Sequence, residues 1–241
     1  MIELLNESFK PDSFEYKDIF SVKILSLLKA YGTKYPFVRF YAQKNDEDII
    51  TAILSVLDGD ITLSFAFGLS DTDELREFIS VIGFNTLLCN ELFNFDAKFE
   101  SGVIMESTKK AEFMCNYTEV DEYPYLFDLY NFVDYDGIDF ESWYVDINHR
   151  IRHNCAKAVT LNINNEIISS AILSSIYNDD AVITAVQTKH EFRNSGYGSA
   201  LVSAMCCDVK GTVYLMREEN KNENFYKRLG FINTYRWRIY R

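Results

Sequence analysis

Ile183-Thr184-Ala185-Val186-Gln187-Thr188-Lys189-His190-Glu191-Phe192-Arg193-Asn194-Ser195-Gly196-Tyr197-Gly198-Ser199-Ala200-Leu201-Val202 decides how this chain is read. Residues 183–188 have the β-branched composition of a strand. Residues 189–195 form a short basic loop, and Gly196 and Gly198 open a segment with helical apolar spacing. A strand feeding a helix N-terminus through glycines is a device for holding an anion. The first helical N–H groups have no intrahelical partner, and the helix dipole is positive there. Glycine lacks a Cβ, so backbone can approach phosphate oxygens closely.

The rest of the composition bounds what this device can serve. With 241 residues the chain is long enough for one large domain or two small ones with a sizeable core. An apolar fraction of 48% and a charged fraction of 25% are those of a soluble globular protein. No run approaches the roughly 18 apolar residues of a membrane span, and residues 1–18 lack a signal-peptide pattern, so a cytoplasmic protein without a membrane partner is expected. The five cysteines, Cys89, Cys115, Cys155, Cys206 and Cys207, lack C-x-x-C spacing and read as free thiols rather than disulfides or zinc ligands. The net charge of −12 argues against a nucleic-acid partner. That charge is uneven. Residues 181–241 hold ten Lys/Arg against five Asp/Glu, a net of +5, while residues 1–180 hold fourteen against thirty-one, a net of −17. The glycine loop lies in the one basic region, which suits a polyphosphate beside a surface attractive to cations.

Along the chain, residues 16–31 have helical spacing and stop at Gly32, and strands are expected at 37–43, 49–57 and 61–67, with Asp58-Gly59 as a tight hairpin. A helix follows with Leu75, Phe78, Ile79 and Ile82 on one face and Asp71 or Thr72 as N-cap, then extended segments near 84–89 and 99–105. Helices are expected from Pro124 to about 133 and from 139 to 151. Strands at 156–162 and 167–175 are joined at Asn164-Asn165, and a strand at 181–188 leads into the glycine loop. The next helix should run to Lys210 with Gly211 as its C-cap, followed by a strand at 212–217, a short helix at 222–229 and a strand at 231–239. The two halves share an order: helix, strands with a hairpin, loop, helix, strand. They differ at the loop. Residues 68–74 carry Asp71, Asp73 and Glu74 with no basic residue, so only the second copy suits a polyphosphate.

Thr188-x-His190-Glu191-Phe192-Arg193-x-x-Gly196-x-Gly198 resembles the acetyl-coenzyme A signature of the GCN5-related N-acetyltransferase (GNAT) superfamily, and Tyr226-Lys227-Arg228-Leu229-Gly230-Phe231 resembles its downstream Tyr-x-x-x-Gly-Phe element. The resemblance covers about residues 124–241. It implies an α/β fold with a mixed sheet, the GNAT acyl-CoA N-acyltransferase fold, in a tandem of two GNAT-like halves. Residues 1–118 would form a degenerate copy without a cofactor site, and 119–241 a catalytic domain binding acetyl-CoA, without a metal. By that resemblance Val186, Gln187 and Thr188 would meet the pantetheine arm, and Arg193, Asn194, Ser195, Gly196, Tyr197, Gly198 and Ser199 would wrap the pyrophosphate. Asn222 and Asn224 would add cofactor contacts, although Glu223 stands where the family commonly has Asn. Tyr226 would be the general acid for the leaving thiolate, and Glu219 is the candidate base.

The implied activity is acetyl transfer from acetyl-CoA to a primary amine of a small molecule or peptide by direct attack. The alternative is a catalytically silent GNAT-fold module that binds acetyl-CoA or a partner for regulation, and a structural protein with an empty loop is a third reading. Gly196 and Gly198 could be a plain turn, and Tyr226 a packed aromatic among sixteen tyrosines. A Rossmann loop is excluded by Leu201 in place of the third glycine, and a Walker loop by the missing Gly-Lys-Ser/Thr. His149 and His153 share a helix face but have no accompanying Glu, so a polar helix end is the better reading than a metal site. Trp143 and Tyr144 could line an acceptor pocket or simply pack. The Asn116-Tyr117-Thr118 sequon carries no weight without a secretory signal. The acceptor and the oligomeric state stay open, a homodimer included.

Overall fold

The computed structural model describes residues 1–107, 120–133, 135 and 137–241. Cys115 and the 116–118 sequon lie outside the described residues. In chain order the elements are β1 (Ile2–Leu4), α1 (Ile19–Tyr31), β2 (Val38–Lys44), β3 (Ile50–Leu57), β4 (Asp60–Phe65), α2 (Thr72–Ile82), β5 (Thr86–Asn90) and β6 (Phe99–Ser107). They continue with β7 (Val120–Asp121), α3 (Leu126–Val133), α4 (Phe140–Arg152), β8 (Lys157–Ile163), β9 (Glu166–Tyr177), β10 (Asp180–Thr188), α5 (Tyr197–Cys207), β11 (Val213–Glu218), α6 (Glu223–Arg228) and β12 (Ile232–Tyr240). Two compact units emerge, and they are not consecutive stretches of chain. One comprises Met1–Ile104, Met216–Glu219 and Thr234–Arg241; the other comprises Met105–Leu215 and Asn220–Asn233.

In the first unit β1, β2, β3, β4, β5 and β12 lie in that order. Asp58 and Gly59 sit at φ 49° and 89°, the positive pair a two-residue hairpin needs, and they set β3 and β4 antiparallel from Leu57↔Asp60 to Ala52↔Phe65. The chain then crosses through α2 to β5, which runs parallel to β4 at Asp60↔Thr86 to Thr62↔Leu88. β12 closes the other side of β5 in antiparallel register, Trp237↔Asn90 to Tyr240↔Leu87. Leu75 and Ile79 of α2 bury into a core with Leu63, Phe65, Leu87, Phe93 and Tyr240.

The second unit repeats this plan. β8 and β9 form a hairpin whose turn residues Asn164 and Asn165 take φ 52° and 63°. β10 returns antiparallel to β9, α5 crosses, and β11 runs parallel to β10. Thus β2-β3-β4-α2-β5 and β8-β9-β10-α5-β11 share connectivity and strand sense.

Three local readings change. β1 carries no pattern of its own and forms through pairing with β2 at Ile2↔Gln43 to Leu4↔Tyr41. α5 ends at Cys207 with Asp208 as C-cap, three residues before Lys210. Gly211 is therefore not the cap. A Cβ there would lie 2.3 Å from Asp180 Oδ1 and 2.8 Å from the Asp179 carbonyl oxygen, so glycine serves a close backbone approach at the start of β10.

Asp18 caps α1, accepting from the Ser21 N–H at 2.6 Å and from Ser64 Oγ at 2.8 Å, yet it is fully buried. Burial outweighs these donors and pushes its carboxyl up from 3.8 to about 6. Because the folded value exceeds the unfolded one, the ionised form opposes folding. Stability from this group is fully present below about pH 4 and falls as pH rises to about 6, with roughly 3 kcal/mol at stake. Asp18→Asn should flatten the dependence of urea midpoint on pH between 4 and 6 and raise the midpoint at pH 8.

Candidate functional site

Within the second unit, β10 does not run smoothly. Its register with β9 jumps from Thr184↔Ile172 to Gln187↔Ser170, so Ala185 and Val186 face Ala171 alone. This is a β-bulge, and Ala185 takes φ 51° to make it. Two buried serines of β9 hold the distorted backbone. Ser170 Oγ donates to the Ala185 carbonyl oxygen at 2.9 Å, and Ser169 Oγ donates to that of Gln187 at 2.9 Å. The opposite edge of β10 pairs with β11 only at Ala181↔Val213 and Val182↔Tyr214. From Ile183 to Thr188 that edge has no ladder partner among the described residues, and Thr184 to Thr188 are half-buried. An extended ligand bearing amides can complete such an edge as an added strand would.

The half-open strand leads into the glycine loop. His190–Phe192 make a single 3-10 turn, Arg193 Nε donates to the Thr188 carbonyl oxygen at 3.0 Å, and Lys189 pairs with Glu166. Asn194 and Gly196 take left-handed φ of 62° and 87°, turning the chain into α5. No side chain caps α5. Its first helical bond runs from the Ala200 N–H to the Gly196 carbonyl oxygen at 2.9 Å, so the N–H groups of Tyr197, Gly198 and Ser199 precede the ladder. Gly198 is packed, not open. A Cβ there would lie 2.9 Å from Thr188 Oγ1, itself 2.9 Å from Ser169 Oγ. The end of β10 and the start of α5 are thereby clamped together, with Arg193 to Gly196 exposed around them.

The first unit answers the same construction differently. At the start of α2 the Asp71 carboxylate accepts from the Asp73 and Glu74 N–H groups, both at 3.0 Å. Gln43 fastens this cap, donating to the Asp71 carbonyl oxygen and to Glu74 Oε2 at 2.8 Å and accepting from the Asp71 N–H at 3.0 Å. The donors that could hold an anion are already occupied by a carboxylate of the chain.

Tyr226 lies on α6, buried at 9% exposure between Phe225 and Phe231, with ring centroids 4.9 and 5.8 Å away. Burial pushes its phenol up to about 12, so it stays protonated through the physiological range. Asn222 precedes α6 in a left-handed conformation, and Asn222 and Asn224 are exposed. Glu223 pairs with Lys227 at 2.6 Å and accepts from Asn233 at 3.0 Å. Glu219 belongs to the first unit and forms an ion pair with Arg236 there. His149 and His153 stack at 4.2 Å, and among the described residues no group of three or more His, Cys, Asp or Glu is placed to hold a metal. No helix among the described residues is long and apolar enough to cross a membrane. Sequence reasoning missed the bulge and its two serines; Ala185 at positive φ leaves no compositional mark.

The overall arrangement of strands and helices has counterparts among solved structures. A tandem GNAT protein from the clavulanic acid biosynthesis pathway matches with a TM-score of 0.61 at 10% identity, covering 100% of this chain and 97% of that one. The fold is that of the GNAT acetyltransferases. A putative acetyltransferase of the GNAT family from Novosphingobium aromaticivorans matches at 0.56 and 12%, covering 90% and 94% of the two chains. A Drosophila protein matches at 0.66 and 12%, covering 99% and 97%. Residues 162–240 match the family model of FR47-like protein. Among curated proteins none matches the sequence.

Substitution at either helix start should lower stability, but the two should differ in their response to an anion. Asp71→Ala removes a cap and should cost about 1 kcal/mol. Gly196→Ala places a Cβ at φ 87° and should cost about 1–2 kcal/mol. Adding inorganic pyrophosphate should raise the melting temperature of the wild type and of Asp71→Ala, with a smaller rise in Gly196→Ala.

Proposed function

We propose that the chain is an acetyl-CoA-dependent N-acetyltransferase that acetylates a primary amine of a small molecule or peptide. The observation that carries this is the uncapped, glycine-led start of α5 beside an edge of β10 without ladder partners. The first supplies N–H groups and a positive dipole for a pyrophosphate, and the second supplies backbone partners for a pantetheine arm. Val186, Gln187 and Thr188 would hold the arm, and residues 193–199 the pyrophosphate, with Asn222 and Asn224 exposed nearby in sequence to Tyr226. Acetyl-CoA supplies the acetyl thioester.

The chemistry asked of the protein is modest. A neutral amine attacks the thioester carbonyl, the C–N bond forms, the C–S bond breaks, and the amine proton leaves to a base. Preorganised N–H groups near the bulge would meet the developing oxyanion, and positioning would supply much of the rate. Tyr226, held protonated by burial, would return a proton to the thiolate sulfur. Glu219, which forms an ion pair with Arg236, is the proposed base. The packing of Tyr226 between two phenylalanines favours a second reading, a module that binds acetyl-CoA without turnover.

Acetyl-CoA at a hundredfold excess over its dissociation constant should stabilise the protein by about 2.7 kcal/mol. Tyr226→Phe should leave this stabilisation intact and lower kcat by about 10²-fold or more in an assay for released thiol. Stabilisation without thiol release across a panel of amines would establish the silent module. No stabilisation at millimolar acetyl-CoA would overturn both readings.

A further inference from the structure

The second unit also carries an aromatic wall. Tyr130 and Tyr135 stack with centroids 5.7 Å apart, and Trp143 lies 5.5 and 5.2 Å from them. Phe140 continues the network, 5.2 Å from Tyr130 and 5.5 Å from Tyr144. These rings are not sealed in a core. Tyr130, Tyr135, Phe140 and Trp143 are half-buried and Tyr144 is exposed. The wall is tied to the bulge. Gln187 Nε2 donates to the Phe132 carbonyl oxygen at 2.8 Å, and Ala185 and Trp143 pack against the same cluster of Leu129, Ile147 and Ile172.

Its charge points to one kind of occupant. Residues 121–149 contain eight Asp/Glu and no Lys or Arg. Asp121 and Asp139 cap backbone N–H groups, while Glu122 and Asp146 pair with Lys157 and Arg150. Asp128 and Glu141 are exposed and have no cationic partner among the described residues. Aromatic faces in a negative field attract an ammonium, more strongly as it loses water.

We propose that this wall is the acceptor subsite and that it selects diamines, one nitrogen held as an ammonium against the Trp143 and Tyr135 faces while the other, neutral, is the nucleophile. The inference rests on the acetyl-transfer reading and names its substrate class. Such a site favours a diamine over a monoamine of equal length, because the diamine brings a second ammonium to the acidic surface on binding and still leaves one there after the reacting nitrogen is deprotonated.

The test is calorimetric titration of 1,4-diaminobutane and n-butylamine into the protein, with and without coenzyme A. The diamine should bind at least about tenfold more tightly. Trp143→Ala should erase most of that preference and Trp143→Phe retain it, while thermal stabilisation by acetyl-CoA stays unchanged in both. Glu141→Gln, at an exposed position, should reduce the preference severalfold without disturbing the fold. Equal affinities, tighter binding of n-butylamine or phenethylamine, or no amine binding would overturn the inference. Loss of acetyl-CoA stabilisation in the wild type would instead overturn the transfer reading, so the two failures are told apart.

Discussion

A helix that follows a parallel strand must have its first N–H groups met by something, and this chain meets them in two ways. At α2 the partner is internal: Asp71 accepts two of them and Gln43 locks it in place. At α5 the residue in the same role is Gly196, which has nothing to offer. A side-chain cap stabilises the fold at all times, whereas a glycine supplies no such side chain. One plan, used twice, therefore yields one helix start capped by a side chain and one led by glycine.

The bulge in β10 applies the same logic to a strand. Distorting a ladder leaves carbonyl groups to be satisfied, and here Ser169 and Ser170 meet those of Gln187 and Ala185 from the β9 side. That holds the backbone in an arrangement that Ala185 would not choose alone. Thr188 carries the constraint onward, its hydroxyl touching Ser169 on one side and crowding Gly198 on the other. Strand, turn and helix start are thus tied together by these contacts.

Much of this was legible because it depends on local chemistry. Asp58-Gly59 and Asn164-Asn165 announce hairpins by their tolerance of positive φ, Asp71 announces a cap, and Gly196-x-Gly198 announces a glycine-led helix start. What stayed hidden depends on partners distant in sequence. β1 is a strand only because β2 is beside it, and Gly211 looks like a helix stop until the Asp179–Asp180 turn is seen to occupy its space. The aromatic residues of α3 and α4 read better as core, and only the structure shows that they pack on one another while staying half-buried or exposed.

The pairing of β12 with β5 has a consequence for how the molecule comes into being. The first unit contains residues 1–104, but its sheet is not finished until residues 234–241 arrive to cover the edge of β5. During synthesis that edge must wait while more than half of the chain is still being made, and an unpaired strand edge is a template for wrong partners. The unit whose second helix is capped by Asp71 is therefore the one whose folding depends on the whole chain. Cutting the protein between its halves would not separate two domains; it would leave the first without its closing strand.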